Sequence, residues 1–259
     1  MHQPTAETIE QFSPPKDMLT DQVILLTGAA NGIGEALARR LAGLGATLVL
    51  LDKDLAGLEK LYDHIESAGH PQPILHPLDL GGATPDDYAE LAASLDQQLG
   101  RLDTLLLNAG WLGAYTPFGQ CSVDLYQRTM MVNLHGHFFL TQACLPLLQK
   151  TPDASILIST HASDTAYSGP FGMAKAGLAS MLAILAHELD SEKRVRVNGV
   201  DTGPVNTAMR RLNFPGEPPD TNPAPEAVLG PYLYFLSPES RDLTGINFRR
   251  QQNPSQDNA

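Results

Sequence analysis

Val23-Ile24-Leu25-Leu26-Thr27-Gly28-Ala29-Ala30-Asn31-Gly32-Ile33-Gly34-Glu35-Ala36-Leu37-Ala38 reads as a strand, a glycine-rich turn and the opening of a helix. The run 23–27 is short and apolar, as a strand covered on both faces requires. Residues 35–44 then place apolar side chains at three- and four-residue spacing, the signature of a helix face. Glycines between the two permit a tight turn and let backbone approach a ligand closely, and Gly34 lets the helix pack tightly on the strand. The helix N-terminus aims unpaired N–H groups and its positive dipole end at the turn, which suits a pyrophosphate. Three glycines placed between strand and helix are a far more specific signal than a lone triplet.

The same alternation continues outward. Apolar runs of strand length fall at 23–27, 47–51, 74–78, 104–107, 156–159 and 195–200. Helix-patterned segments at 35–44, 55–68, 88–99, 123–149 and 174–189 separate or follow them. Strand, helix, strand repeated in this way predicts parallel strands, because a parallel pair needs a crossover connection. We read a single α/β, doubly wound domain over 21–250, with a central parallel sheet of about seven strands and helices on both faces. Residues 1–20 carry Pro4, Pro14 and Pro15 and read as an N-terminal arm; residues 251–259 read as a polar tail. The Pro-rich stretch 214–225 reads as a loop projecting from the carboxyl edge of the sheet, and the segment 207–223 as one able to close over a site there.

The 259 residues include 17 Lys and Arg against 29 Asp and Glu, a net charge of −12, and 42% are hydrophobic. This balance excludes disorder and argues against nucleic acid or an anionic membrane surface as a partner. Two cysteines, Cys121 and Cys144, make no disulfide framework. The N-terminus shows no basic patch followed by an apolar run, so no secretory signal is expected. Between Arg128 and Lys150 no charged residue occurs, but Asn133, His135, His137, Gln142 and Pro146 make this a buried helix rather than a bilayer span. A soluble, reducing, cytoplasmic setting is expected. His135 and His137 point to different faces of a helix and have no third ligand nearby, so no metal is expected.

Asp52 closes the second strand, 20 residues after Gly32. A carboxylate there accepts hydrogen bonds from an adenosine ribose and repels a 2′-phosphate, which predicts NAD over NADP, with Lys53 arguing the other way.

These residues resemble the short-chain dehydrogenase/reductase family, of its compact single-domain Rossmann type, over about residues 18–250. Thr27-Gly28, Asn31 and Gly32-Ile33-Gly34 are similar to its cofactor loop, and Asp79-Leu80 to its adenine-side contact. Asn108-Ala109-Gly110 resembles the motif that steadies the sheet beside the cofactor. Asn133 stands where the family has the asparagine of its catalytic tetrad, and Lys175 where a lysine holds the nicotinamide ribose. Val197-Asn198 with Gly203 and Thr207 resembles the segment lining the nicotinamide. The resemblance implies hydride transfer between a nicotinamide cofactor and a small alcohol or carbonyl compound, in a homodimer or homotetramer.

The departures fall in the catalytic half. The family's proton-transferring tyrosine precedes its lysine by four residues, and that position is Phe171, which keeps the ring and has no hydroxyl. For the serine that polarises the substrate oxygen the chain offers Ser159 and Thr160, a residue or two closer to position 171 than the pattern has it. Thr202-Gly203 stands where Pro-Gly is usual. Tyr167 and His161 are the candidate replacement proton donors, histidine because it titrates near neutrality. Trp111, Tyr115 and Phe214 are candidate pocket residues, and Arg210 and Arg211 either meet an anionic substrate or are solvated. Phe171 also leaves open a second class of function, a non-catalytic nicotinamide-binding protein acting as sensor or oligomer partner.

Overall fold

Strand β1 (Val23–Thr27) lies at the centre of the molecule, buried throughout. The computed structural model describes residues 4–190, 195–218 and 220–251. Beside β1 run β2 (Thr47–Asp52) and then β3 (Ile74–Pro77) on one flank. On the other flank lie β4 (Thr104–Leu107), β5 (Ala154–Thr160), β6 (Val195–Asp201) and β7 (Asn247–Arg249). The order β3-β2-β1-β4-β5-β6-β7 is parallel throughout. Strand succession reverses direction between β1 and β4, and a sheet of this type binds ligands at the carboxyl ends of strands beside that switch point.

The apolar runs have a simple physical cause. Alternate residues of β1 face opposite ways: Ile24 and Leu26 join one core, Val23 and Leu25 the other. The first core is closed by α2 (Gly32–Ala42), α3 (Leu55–Ser67) and α9 (Gly230–Leu236), through Leu37, Leu41, Leu58, Leu61 and Phe235. The second is closed by α4 (Pro85–Leu99), α6 (Gly136–Lys150) and α7 (Gly169–Asp190), through Leu91, Leu140, Leu178 and Leu182. Helix α4 carries its own start and stop signals: Thr84 and Asp87 form a capping box, and Gly100 ends it at φ 68°. Helix α7 is long and apolar enough to cross a membrane by length and composition, yet it flanks β5 and β6.

The remaining differences from the sequence reading are local. A short α1 (Ala6–Glu10) lies in the segment read as an arm, with Ile9 and Leu19 buried in the first core. Of the segment read as a tail, only Gln251 is described, and its N–H donates to Glu10. The single helix expected over 123–149 is α5 (Val123–Met130), a π-helical turn at Met131–His135, and then α6. The extra residue in that turn places Asn133 inward, fully buried, and π-helical turns of this kind concentrate at functional sites. Helix α7 starts at Gly169, five residues before the position expected, and α8 (Ala208–Asn213) opens the segment 207–223.

Candidate active site

A cleft of about 460 Å³ opens at the carboxyl ends of β1, β2, β4 and β5 and runs from Asp52 to Phe171. Its floor is the glycine turn. Gly28 and Gly32 have φ of +68° and +58°, in the left-handed region that favours glycine. A Cβ on Gly28 would sit 2.7 Å from the Ala109 Cα, and one on Gly34 only 1.8 Å from the Gly28 carbonyl oxygen. Any side chain there would fill the cradle or push α2 off β1. Asn31 occupies the N-cap position of α2 without a side-chain cap bond, and Asn31, Gly32 and Ile33 line the cleft. The first N–H groups of α2 are thus presented where an anion fits. Thr207 packs over Gly32, with its methyl 3.1 Å from where a Cβ would stand.

Thr27 lies beneath this cradle, outside the cleft lining. Its hydroxyl accepts from the backbone N–H of Asn108 (2.9 Å) and Ala109 (3.0 Å). The Asn108 amide in turn donates to the carbonyls of Thr27 and Gly28 and accepts from the Ser159 hydroxyl at 3.2 Å. This one side chain ties the ends of β1, β4 and β5 together. Tyr232 of α9, which no sequence motif marks, donates to Ser159 at 2.9 Å; burial pushes its phenol well above the usual range. Ala109, Gly110, Asp79 and Leu80 line the cleft, Asp79 also accepting from the N–H of Gly81.

Asn133 braces the next loop rather than projecting from a helix. Its Oδ1 accepts from the Trp111 N–H (3.0 Å), and its Nδ2 donates to the Trp111 carbonyl (2.7 Å) and the Thr129 carbonyl (2.8 Å). His137, fully buried, bonds the Ala109 carbonyl through Nε2 at 2.9 Å. Burial first and then the nearby Lys175 charge bring its pKa down to about 4 against the opposing pull of that hydrogen bond, so the ring is neutral at pH 7. His135 lies on the outside against Met131. Among the described residues no group of three His, Cys, Asp or Glu is placed to hold a metal.

Lys175 is buried beside the cleft and donates to the Ser159 carbonyl at 3.0 Å, with its ammonium 5.8 Å from the centre of the Phe171 ring. Burial lowers its pKa to about 8, against the attraction of Asp201. Of the two hydroxyls at the end of β5, Ser159 is engaged by Asn108 and Tyr232, and Thr160 donates to Asn247 of β7 at 2.7 Å. His161 lines the cleft, its ring centre 6.1 Å from that of Phe171. Tyr167 is 60% exposed, does not line the cleft, and adopts φ 70° with its carbonyl accepting from Thr116. Gly203 and Thr202 follow β6, where the Gly203 N–H donates to Asp201.

Trp111, Tyr115 and Phe214 all line the cleft, and Tyr115 meets Phe214 edge-on with ring centres 5.2 Å apart. Arg210 lies 3.6 Å over Phe214 and forks onto Glu217 with two 2.8 Å bonds, while Arg211 bonds Asn206. Both arginines therefore have protein partners.

The sequence model of the short chain dehydrogenase family matches residues 22–218. The uncharacterized oxidoreductase YciK of Escherichia coli is 36% identical over 244 residues, 93% of this chain and 96% of that protein. A short chain dehydrogenase structure from Shigella flexneri, complexed with NADP, superposes with a TM-score of 0.86 at 34% identity, covering 92% of this chain and 100% of that one. One from Escherichia coli, complexed with NADPH, gives 0.88 at 35% identity with the same coverage. These complexes overturn the expectation of NAD and point to NADP as the preferred cofactor. The structure supplies a physical reason. Both Asp52 oxygens accept backbone N–H groups, Oδ2 from Ala30 (3.0 Å) and Oδ1 from Asp54 (3.1 Å). The carboxylate is a brace for the glycine turn, and Lys53 beside it lines the cleft.

Proposed function

Because the chain belongs to the short-chain dehydrogenase/reductase family, we propose that it is an NADP(H)-dependent oxidoreductase acting on a small alcohol or carbonyl compound, with a proton relay that does not use position 171. The observation that carries this reading is one continuous cleft joining the glycine cradle, Lys53, Lys175 and Phe171. The cradle of Gly28, Gly32 and Gly34 fits a pyrophosphate, because a Cβ at any of the three would meet a neighbour. Asn31, Ile33, Asp79, Leu80, Gly110, Gly203 and Thr207 complete the cofactor wall. Lys53 meets the 2′-phosphate, and Lys175 the nicotinamide ribose. Bound NADPH supplies the hydride.

The chain's own residues orient the substrate and manage its proton. Trp111, Tyr115 and Phe214 make an apolar wall that excludes water from the reacting carbon. Asn133 fixes Trp111 in that wall and Asn108 fixes the floor. Phe171 offers no proton, so general acid–base help worth about 10²–10⁴-fold must come from another group. Assembly as a homodimer or homotetramer fits the exposed apolar residues Phe138 of α6 and Met173 and Ile184 of α7.

Fluorescence titration of the purified protein with NADPH and NADH, followed by NADPH oxidation against a panel of small carbonyl compounds, tests this reading. Tighter NADPH binding and substrate-dependent oxidation are expected. NADPH binding without turnover, in the natural chain and in Phe171→Tyr alike, would sink it.

A further inference from the structure

His161 and Asp201 form a pair at the carboxyl ends of β5 and β6. His161 leaves the end of β5 and Asp201 ends β6, 40 residues on, with His161 Nδ1 facing Asp201 Oδ1 at 3.3 Å. Asp201 is buried and heavily engaged: the N–H groups of Gly203 and Ala162 donate to it at 2.9 Å each, and Arg249 Nε approaches at 3.3 Å. Burial acts to raise its pKa, but the hydrogen bonds from His161, Ala162 and Gly203 win and hold it at about 2. The carboxylate is therefore a permanent anion behind the imidazole. Among the described residues His161 Nε2 makes no hydrogen bond, and the side chain is 29% exposed. The same ring stands beside Phe171, where the tyrosine hydroxyl is missing.

Resting on the oxidoreductase reading above, we propose that His161 is the group that exchanges the proton with the substrate oxygen, and that Asp201 is its positioning residue. In the reductive direction a hydride from NADPH forms the new C–H bond at the carbonyl carbon. The C=O π pair moves to oxygen, which takes the proton from Nε2–H of the imidazolium and leaves alcohol, neutral imidazole and NADP⁺. The half-buried ring then regains a proton from water. Asp201 keeps the other proton on Nδ1 and stabilises the imidazolium, which orients Nε2 toward the cleft. The charged groups around the ring are Asp201 on β6, Arg249 on β7 behind that carboxylate, Lys175 on α7, and Asp164 in the loop after β5.

The test uses the full chain with NADPH and small carbonyl compounds. His161→Gln should keep NADPH affinity within about twofold and lower kcat/KM by about 10²-fold or more. In the natural chain, reduction should show a limb that falls as pH rises. That step should vanish in His161→Gln and move to lower pH in Asp201→Asn, a change that mere loosening of the loop would not produce. The double variant with Phe171→Tyr should recover about 10²-fold over His161→Gln alone. Nitrogen NMR of the natural chain should place a proton on Nδ1 of His161 irrespective of turnover; a bare Nδ1 overturns the pairing. Full activity of His161→Gln across the pH range overturns the relay while leaving the oxidoreductase reading intact. Absence of turnover in both the natural chain and Phe171→Tyr, with NADPH bound, overturns both. Where Asp201→Asn does not fold, the His161→Gln profile and the NMR result decide.

Discussion

Acid should unfold this protein through His137 in a way that can be isolated. The ring is fully buried, bonds the Ala109 carbonyl through Nε2, and has no hydrogen-bond partner for Nδ1 among the described residues. Burial first, then the Lys175 charge, lower its pKa from 6.5 to about 4. The sign follows from which state takes up the proton. The unfolded chain binds it as pH falls through 6.5, while the folded ring resists until about 4, so this stability is full above 6.5 and lost between 6.5 and 4. At 1.36 kcal/mol per pH unit the whole gap is worth about 3 kcal/mol, of which about 2.5 kcal/mol is lost by pH 4.5. The assay is urea unfolding of the natural chain and His137→Leu at pH 7.5 and pH 4.5. At pH 7.5 the variant should be about 1 kcal/mol less stable, having lost the bond to Ala109. Between the two pH values it should lose about 2.5 kcal/mol less than the natural chain, since every other titrating group, including the half-buried His76, is common to both. Parallel losses would refute the reasoning. Because Ala109 belongs to the turn flanking the cradle, NADPH affinity should weaken over the same pH range.

Gly34→Ala places a methyl 1.8 Å from the Gly28 carbonyl, so α2 must shift off β1; thermal and urea unfolding should show a loss of about 1–3 kcal/mol or more, and NADPH titration a loss of affinity exceeding tenfold. Lys53→Glu should reverse the preference between NADPH and NADH, read as the ratio of the two dissociation constants. Glu217→Gln removes the carboxylate that Arg210 forks onto beside Phe214; with both side chains partly exposed, about 1 kcal/mol is at stake, seen as a several-fold rise in carbonyl KM. Tyr232→Phe deletes the donor to Ser159 and should lower stability by about 1 kcal/mol on urea unfolding without changing the NADPH to NADH ratio.

The sequence by itself determined the sheet and the cradle, because both are local. Alternating residues of 23–27 had to be apolar to fill two cores, and the turn needed glycine where φ is positive and where α2 crosses β1. The asparagine at 108 and lysine at 175 were legible by position. What Asp52 does was not: its charge reads as a ribose contact until the N–H groups of Ala30 and Asp54 are seen on its oxygens. Strand β7 escaped because three residues carry no periodicity, and they become a strand only by pairing with β6. Ser159 and Thr160 looked equivalent in the chain, and only the tertiary structure decided that one hydroxyl faces Asn108 and Tyr232 while the other faces Asn247. His161 was a candidate by chemistry alone; its carboxylate partner lies 40 residues away and Tyr232 lies 73 residues from Ser159. Such pairs are made by strands and helices converging at one edge of the sheet, a distance that no spacing along the chain encodes.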